Sequence, residues 1–337
     1  MDCQGKTALI TGGVSGIGFG IARAFCAAGI DLVLTYRNEA YREQAQAWFA
    51  QQGGKLPRFV ALDVTDRARW AQVAQEVGTV HILVNNAGVS VFGPTDEASH
   101  ADYDWIMGVN FGGVVNGLVT FIPRIKAQGQ GGHIVNVASM AAYLSGPQAG
   151  IYTASKFAVR GLTECLRYNL APYGIGVSLM CPGLTRTNAW DSALKRPPAF
   201  ADSGFAPPDR HELTQFGTAF EAGMDPLEVG EKTLAGMVEN RAVIFTHPEF
   251  AEDFAEIHRN SVAALPVERT VGPLDARPGK LARDLRTDDI GAFNGRGWVD
   301  LGDFRLELGH RCCLCLFAAV LALGADKDAV VVAERLQ

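Results

Sequence analysis

Two side chains of complementary chemistry stand four positions apart in the segment YTASK, at the start of a helix predicted over Tyr152–Ala171. Tyr152 and Lys156 therefore share one face of that helix. An ammonium group beside a phenol favours the phenolate, so such a tyrosine can exchange a proton with a substrate oxygen near neutral pH. Taken alone, a tyrosine and a lysine at this spacing are more often an ordinary half-exposed helix face.

Ser139 and Asn110 complete a candidate catalytic set with that pair. Ser139 follows a strand predicted over His133–Val137, at the sheet edge where a ligand would rest, and its hydroxyl can hydrogen-bond the same substrate oxygen. Asn110 lies in a long helix that is predicted over Asp102–Ile125 and ends near Pro123. The candidate catalytic residues are thus Asn110, Ser139, Tyr152 and Lys156.

A glycine-rich segment, TGGVSGIG from Thr11 to Gly18, has the spacing of a nucleotide-binding turn. It follows a strand predicted over Thr7–Ile10 and opens a helix predicted over Ile17–Ala28. Glycines there let the backbone approach a pyrophosphate, while the helix N-terminus offers free N–H groups and a positive dipole end to the phosphates. A flexible glycine turn is the plain alternative, and the flanking strand and helix argue against it.

The end of the second predicted strand bears on which nicotinamide dinucleotide would bind. An acidic residue about 20 positions past the glycines binds the ribose 2′-hydroxyl of NAD, whereas an arginine accepts the 2′-phosphate of NADP. Tyr36 stands at that place and Arg37 follows it, with Ser15 of the glycine segment as a second donor. The sequence therefore predicts NADP, with NAD as the alternative and a solvated surface arginine as the plain interpretation of Arg37.

Two more segments follow predicted strands at the same sheet edge. Asp63 and Val64 come after the third strand, where a carboxylate can accept a hydrogen bond from the adenine amino group. Thr65 and Asp66 equally suit a helix cap at that point. The NNAG segment, Asn85–Gly88, follows the fourth strand and faces the expected ligand crevice, although an ordinary turn has the same composition.

Short apolar runs alternate with longer helical patterns through the first half of the chain. Strict alternation predicts parallel strands joined by helical crossovers, and strands this apolar are buried on both faces. We predict a single α/β domain over residues 1–266, a doubly wound parallel sheet of the Rossmann type with an extended substrate loop over 184–226. Residues 267–337 form an atypical tail of unclear role, expected to be poorly ordered.

The composition excludes several classes of partner. The 337 residues carry a formal net charge of −6 and no dense basic run, so neither nucleic acid nor a membrane surface is expected as a partner. Seven cysteines without framework spacing fit a reducing cytoplasm. No signal peptide and no run long enough to span a bilayer are expected. No metal is expected either, because the adjacent cysteines near His310, at Cys312, Cys313 and Cys315, suit tetrahedral zinc poorly.

Taken together, TGGVSGIG, NNAG, Asn110, Ser139, YTASK and Cys181-Pro182-Gly183 resemble the short-form branch of the short-chain dehydrogenase/reductase family, over about residues 4–265. The resemblance implies hydride transfer between a nicotinamide cofactor and an alcohol or ketone, in a homodimer or homotetramer. It implies that Tyr152 is the acid/base, that Lys156 holds the nicotinamide ribose, and that Asn110 anchors a water in a proton relay. The candidate cofactor-binding residues are Thr11, Gly12, Ser15, Gly16, Ile17, Gly18, Arg37, Asp63, Val64, Asn86, Ala87, Gly88, Tyr152, Lys156, Pro182, Gly183 and Thr187.

A finer similarity concerns the substrate. The segments DYDWIMGVNFGGVVNGLVTFIPRI and HPEFAEDFAEIHRNSVAALP are similar to bacterial Cα-dehydrogenases that oxidise lignin-derived β-aryl ether alcohols and are associated with NAD. A bulky, aryl-substituted secondary alcohol or ketone is therefore expected. A steroid or other hydrophobic ketone is the alternative substrate, and a catalytically silent cofactor-binding protein is the alternative of another class. The aromatic residues expected to form a lid over the pocket, or else merely to pack the substrate loop, are Trp190, Phe200, Phe205, Phe216 and Phe220.

Overall fold

The computed structural model describes residues 3–265, 297–300 and 305–308. Its centre is a sheet of seven parallel strands in the order β3-β2-β1-β4-β5-β6-β7. The strand order reverses between β1 and β4, which is where ligands bind in doubly wound sheets. The strands are β1 (Thr7–Ile10), β2 (Asp31–Tyr36), β3 (Arg58–Ala61), β4 (Ile82–Asn85), β5 (Gly132–Val137), β6 (Ile175–Cys181) and β7 (Val243–Phe245).

Helices cover both faces of the sheet, as strands without a polar face require. They are α1 (Gly16–Ala27), α2 (Glu39–Gln52), α3 (Arg67–Val77), α4 (His100–Met107), α5 (Gly113–Gln128), α6 (Gly150–Leu170), α7 (Arg210–Glu221), α8 (Pro226–Val238) and α9 (Ala251–Ala263). Side chains of β1 alternate between two hydrophobic clusters, with Leu9 packed in one and Ile10 in the other. The predicted doubly wound parallel sheet is thus confirmed.

The long helix predicted over Asp102–Ile125 differs from the prediction at its end and in its middle. A π-helical turn, Gly108–Gly112, joins α4 to α5, and the helix continues past Pro123 to Gln128. Proline removes one backbone donor, which leaves the carbonyl four residues earlier without its bond. That residue is Val119, whose side chain is 71% exposed, so water can reach this part of the helix. Because the helix continues to Gln128, the prediction that it ends near Pro123 was wrong.

The same continuous helix bears on the membrane expectation. By length and composition His100–Gln128 is able to cross a bilayer, contrary to the expectation that no run reaches that length. Half of its most apolar window is buried inside the protein, however. Val114, Leu118 and Phe121 lie in the hydrophobic cluster that contains Leu9. The Phe121 ring packs edge-on against the Trp70 ring, with 6.0 Å between the ring centroids. These contacts are those of a core helix that covers a sheet.

The substrate loop is more regular than its weak periodicity suggests. It contains the 3₁₀ segments Asn188–Lys195 and Pro198–Phe200, followed by α7. The chain divides into two compact units, Met1–Arg259 and Asn260–Gln337. Two antiparallel strands, β8 (Gly297–Asp300) and β9 (Arg305–Leu308), are described in the second unit. The rest of the predicted tail, including the cysteines near His310, lies outside the described residues.

Candidate active site

The glycine loop between β1 and α1 has a backbone that other residues adopt poorly. Gly12 and Gly16 have φ values of 61° and 51°, in the left-handed region that glycine enters without a steric cost. A Cβ at Gly18 would overlap the carbonyl oxygen of Gly12. Ser15 caps the N-terminus of α1 without a side-chain capping bond. Its hydroxyl is therefore available to an anion at this helix end.

Thr11 and Asn86 fasten the glycine loop to the NNAG segment. The Thr11 hydroxyl accepts the backbone N–H groups of Asn86 at 2.8 Å and Ala87 at 2.9 Å. Asn86 Nδ2 donates in return to the Thr11 carbonyl oxygen at 2.8 Å. These three bonds connect the ends of β1 and β4, so both residues fix the relative position of the two loops.

A cleft of about 1230 Å³ runs past the loops that follow the carboxyl ends of β1, β4, β5 and β6. Four of the predicted site residues do not line the cleft themselves, but each contacts a residue that does: Thr11, Gly18, Asp63 and Asn110. Val64 is buried and packs against Gly113 instead. The predicted site residues that line the cleft are Gly12, Ser15, Gly16, Ile17, Arg37, Asn86, Ala87, Gly88, Ser139, Tyr152, Lys156, Pro182, Gly183 and Thr187.

Ser139, Tyr152 and Lys156 meet at this cleft from the end of β5 and the first turns of α6. Lys156 is buried and donates from Nζ to the carbonyl oxygen of Val137 at 3.3 Å. The same Nζ lies 5.5 Å from the centroid of the Tyr152 ring. Ser139 Oγ accepts the backbone N–H of Ala141 at 3.1 Å. The hydroxyl hydrogen of Ser139 thus remains for a substrate oxygen.

Asn110 lies in the π-helical turn and is 1% exposed. Its Oδ1 accepts the backbone N–H of Val89 at 2.8 Å, while Nδ2 donates to the Val89 carbonyl oxygen at 3.0 Å and to Ser155 Oγ at 3.1 Å. Ser155 Oγ in turn donates to the carbonyl oxygen of Tyr152 at 2.6 Å. Both amide hydrogens of Asn110 therefore take part in hydrogen bonds that join the end of the NNAG segment to α6. The water relay through Asn110 remains a prediction.

Arg37 and Asp63 form an ion pair at the cleft, just past the ends of β2 and β3. Arg37 Nη1 lies 3.1 Å from Asp63 Oδ2, and both side chains are nearly half exposed. Asp63 Oδ1 accepts the backbone N–H and the hydroxyl of Thr65. Burial acts to raise the pKa of Asp63, but the bonds from Thr65 and Arg37 outweigh it and lower that pKa. The cap of α3 is supplied by Asp66, which accepts the Arg69 N–H.

His247, which the sequence motifs did not indicate, holds the turn after β6. Its Nδ1 accepts the backbone N–H of Gly183 at 3.0 Å, and Nε2 lies 3.0 Å from the carbonyl oxygen of Leu184. A Cβ on Gly183 would overlap the imidazole ring. The Nδ1 contact requires an acceptor, so the proton sits on Nε2 and is donated to Leu184. The turn that carries the candidate cofactor-binding residues Pro182 and Gly183 is thus held by a side chain that follows β7.

The aromatic residues of the substrate loop fall into two groups. Phe220 lines the cleft, and the Phe216 ring stacks on Phe92 at 6.2 Å. Phe92 also lines the cleft and lies 5.7 Å from the Tyr152 ring, between ring centroids. This group therefore continues the apolar surface outward from Tyr152.

The second group serves to pack the loop. Phe205 lies directly over Gly93, where any Cβ would overlap its ring. Phe200 packs against the core cluster, and Trp190 lies beside Gly217 of α7. Packing of the substrate loop, the alternative role for these aromatics, describes these three residues.

The residues present fit a dinucleotide. The two left-handed glycines, the uncapped Ser15 hydroxyl and the α1 N-terminus form a cradle that suits a pyrophosphate. Arg37 and Leu62 line the cleft on the side of β2 and β3, and Lys156 lines it on the side of β5. Within the described parts of the chain, no group of three or more His, Cys, Asp or Glu side chains is placed to hold a metal ion.

The chain is similar to known proteins over most of its length. The family model for short chain dehydrogenases matches residues 6–197. A C alpha-dehydrogenase of Sphingobium sp. (strain NBRC 103272 / SYK-6) is 35% identical over 282 residues, which are 82% of this chain and 90% of that protein.

Two solved structures extend the comparison. A short-chain dehydrogenase of Novosphingobium aromaticivorans superposes with a TM-score of 0.70 at 35% identity, covering 86% of this chain and 96% of that one. A short chain dehydrogenase/reductase of Burkholderia phymatum in complex with NAD gives a TM-score of 0.73 at 33% identity, covering 81% and 99%. With the glycine loop, the NNAG segment and YTASK gathered on one cleft, this chain belongs to the short-chain dehydrogenase/reductase family.

Proposed function

We propose that this enzyme transfers hydride between a nicotinamide dinucleotide, with NADP(H) preferred, and a bulky, aryl-substituted secondary alcohol or its ketone. The observation that carries the proposal is the shared cleft. Gly12 and Gly16 line one part of it, and Ser139, Tyr152 and Lys156 line another. A dinucleotide held in the glycine cradle would leave its reactive end beside the phenol.

The bound nicotinamide supplies the hydride acceptor for an alcohol or the donor for a ketone. The chain supplies the proton chemistry and the orientation. In oxidation, Tyr152 as phenolate takes the proton of the substrate hydroxyl, and in reduction its phenol returns that proton to the carbonyl oxygen. Ser139 donates a hydrogen bond to the same oxygen, and the Lys156 ammonium stabilises negative charge on the tyrosine.

The apolar lining of the cleft supports a bulky substrate. Phe92 and Phe220 contribute aromatic faces, and Leu184, Pro197 and Phe250 add aliphatic and aromatic surface. Pockets of this kind take hydrophobic ligands with few polar groups to orient them. The similarity to a C alpha-dehydrogenase agrees with an alcohol substrate.

A preference for NADP rests on Arg37. Its pairing with Asp63 is solvent-exposed on both sides, and exposed ion pairs are worth about 0–1 kcal/mol. A charge-assisted hydrogen bond to a phosphate is worth about 1.5–3 kcal/mol. The guanidinium therefore gains by turning to a 2′-phosphate. Glu39, the next carboxylate along the chain, is paired with Arg42.

The test is turnover of a panel of aryl-substituted secondary alcohols and ketones with both cofactors, beside steroid ketones, short polyols and small hydroxy acids. We expect kcat/KM to be highest for the aryl compounds. Efficient turnover of only the polyols or hydroxy acids would contradict the proposed substrate class. Cofactor binding with no turnover of any compound would instead identify a catalytically silent binding protein.

A further inference from the structure

Asp102, on the first turn of α4, is a fully buried carboxylate that the catalytic set does not use. Its side chain is 0% exposed and receives hydrogen bonds on both oxygens. From its own helix cap, the Ser99 N–H donates to Oδ2 at 2.9 Å. From the substrate loop, the Gly204 N–H donates to Oδ2 at 2.9 Å and Ser203 Oγ donates to Oδ1 at 2.8 Å.

Arg196 supplies the countercharge from the opposite end of the same loop segment. Its Nη2 lies 2.6 Å from Asp102 Oδ1, and its side chain is 13% exposed. The guanidinium also stacks 4.7 Å from the centroid of the Trp105 ring, and Nη1 donates to the carbonyl oxygen of Phe200 at 3.2 Å. A single carboxylate therefore holds both ends of the segment 196–204. We call this set of contacts the Asp102 latch.

The latched segment forms part of the cleft wall close to the proposed chemistry. Arg196, Pro197 and Pro198 line the cleft. Beyond the segment, the Phe205 ring covers Gly93. The neighbour of Gly93 is Phe92, whose ring lies 5.7 Å from that of Tyr152. Movement of the segment 196–204 would therefore displace the cleft surface beside Tyr152, while the glycine loop would stay in place.

We propose that Asp102 is a positioning residue for substrate specificity: its latch to Arg196, Ser203 and Gly204 fixes the cleft wall against which a bulky substrate packs. The carboxylate itself contacts neither substrate nor cofactor. The inference rests on the proposed function only for its kinetic readout. It predicts a split in kinetic constants, because a displaced wall weakens substrate binding while Ser139, Tyr152 and Lys156 keep their places.

The first experiment compares Asp102→Asn with wild type. Asparagine has the same size as aspartate. Both oxygens of Asp102 accept hydrogen bonds, so the NH₂ group of asparagine would face hydrogen-bond donors in either orientation of the amide. We expect KM for the best bulky substrate to rise about tenfold, which corresponds to about 1.4 kcal/mol, with kcat and the cofactor KM near wild type. The control is Val73→Ala, which opens a cavity in the core at α3, away from the cleft. The KM of Val73→Ala should stay at the wild-type value even if its melting temperature falls as far as that of Asp102→Asn.

A second measurement needs no turnover. The bond between Lys195 and Arg196 is a tryptic site at the edge of the latch, so we expect Asp102→Asn to be cut there faster than both wild type and Val73→Ala, as read by mass spectrometry. Cleavage no faster than in Val73→Ala would overturn the proposal, as would an unchanged KM in an active Asp102→Asn enzyme. Failure of the proposed function would appear differently, as wild-type protein that turns over none of the compounds.

Discussion

The phenol of Tyr152 is constrained from two sides, by the Lys156 ammonium 5.5 Å from its ring centroid and by the Phe92 ring at 5.7 Å. We predict that Tyr152→Phe abolishes turnover and leaves cofactor affinity near wild type, because only a hydroxyl is removed. The measurements are kcat on the best alcohol and the cofactor Kd by fluorescence titration. Activity within about tenfold of wild type, or about 1.4 kcal/mol of barrier, would mean that another group carries the proton.

A second prediction at the residue scale concerns Arg37. We expect wild type to favour NADP over NAD, and Arg37→Ala to lose about ten- to a hundredfold in kcat/KM for NADP while changing little for NAD. The physical reason is the loss of a guanidinium facing the 2′-phosphate. The matched control is Arg58→Ala, at the amino end of the neighbouring strand β3, where the guanidinium donates to carbonyl oxygens of α3. A wild-type preference for NAD, or a ratio unmoved by the substitution, would refute this interpretation of the β2 end.

At the scale of elements, the turn after β6 depends on a side chain that follows β7. We predict that His247→Ala leaves the Gly183 N–H without its acceptor and lowers the free energy of unfolding by about 1–3 kcal/mol. The cofactor Kd should rise as well, because the Pro182–Leu184 turn lines the cleft. Urea denaturation and cofactor titration measure the two effects. His247→Asn offers an acceptor oxygen and should retain part of both, and an equal loss in the two variants would argue against the hydrogen bond.

Most elements followed from local signals, and the exceptions have identifiable causes. The seven strands are short apolar runs, and the glycine loop is a local pattern whose φ values only glycine tolerates well. The π-helical turn carrying Asn110 left no sequence trace, because its amide partners lie on a different strand end. His247 and Asp102 were missed for the same reason, since their partners are 64 and 94 to 102 positions away along the chain. Such pairings depend on the finished fold.

At the scale of the whole molecule, the described residues that line the cleft all belong to the first compact unit. They run along the chain from Gly12 to Phe250. We therefore predict that a chain ending at Leu265 keeps kcat and both KM values within about twofold of the full chain, well below 1 kcal/mol. Steady-state kinetics on the two purified proteins makes the comparison. Loss of activity in the shorter chain would assign the tail a part in catalysis.

A buried histidine between β5 and β6 links the stability of the protein to pH. His133 on β5 is 2% exposed, and its Nε2 lies 2.9 Å from Ser178 Oγ on β6. That hydroxyl donates to the carbonyl oxygen of Arg241 at 2.6 Å, so it accepts the proton of His133 Nε2. Burial, with the nearby charge of Arg167 adding to it, lowers the pKa of His133 to about 4. The ring is thus neutral in the folded protein at neutral pH.

The sign of the pH dependence follows from that shift. The unfolded chain has His133 near its ordinary pKa of 6.5 and takes up a proton below it, whereas the folded protein does not until about pH 4. The free energy of unfolding should therefore fall by about 3 kcal/mol between pH 6.5 and 4 from this group. Asp102 affects stability only at lower pH. Burial acts to raise its pKa, but its hydrogen bonds outweigh burial and lower that pKa to about 2. Its contribution to the free energy of unfolding is therefore lost only as the pH falls below the ordinary pKa of 3.8. Urea unfolding at pH 7, 5.5 and 4.5 measures the first window, and His133→Gln should flatten it. Equal slopes in wild type and His133→Gln would show that other groups cause the decline.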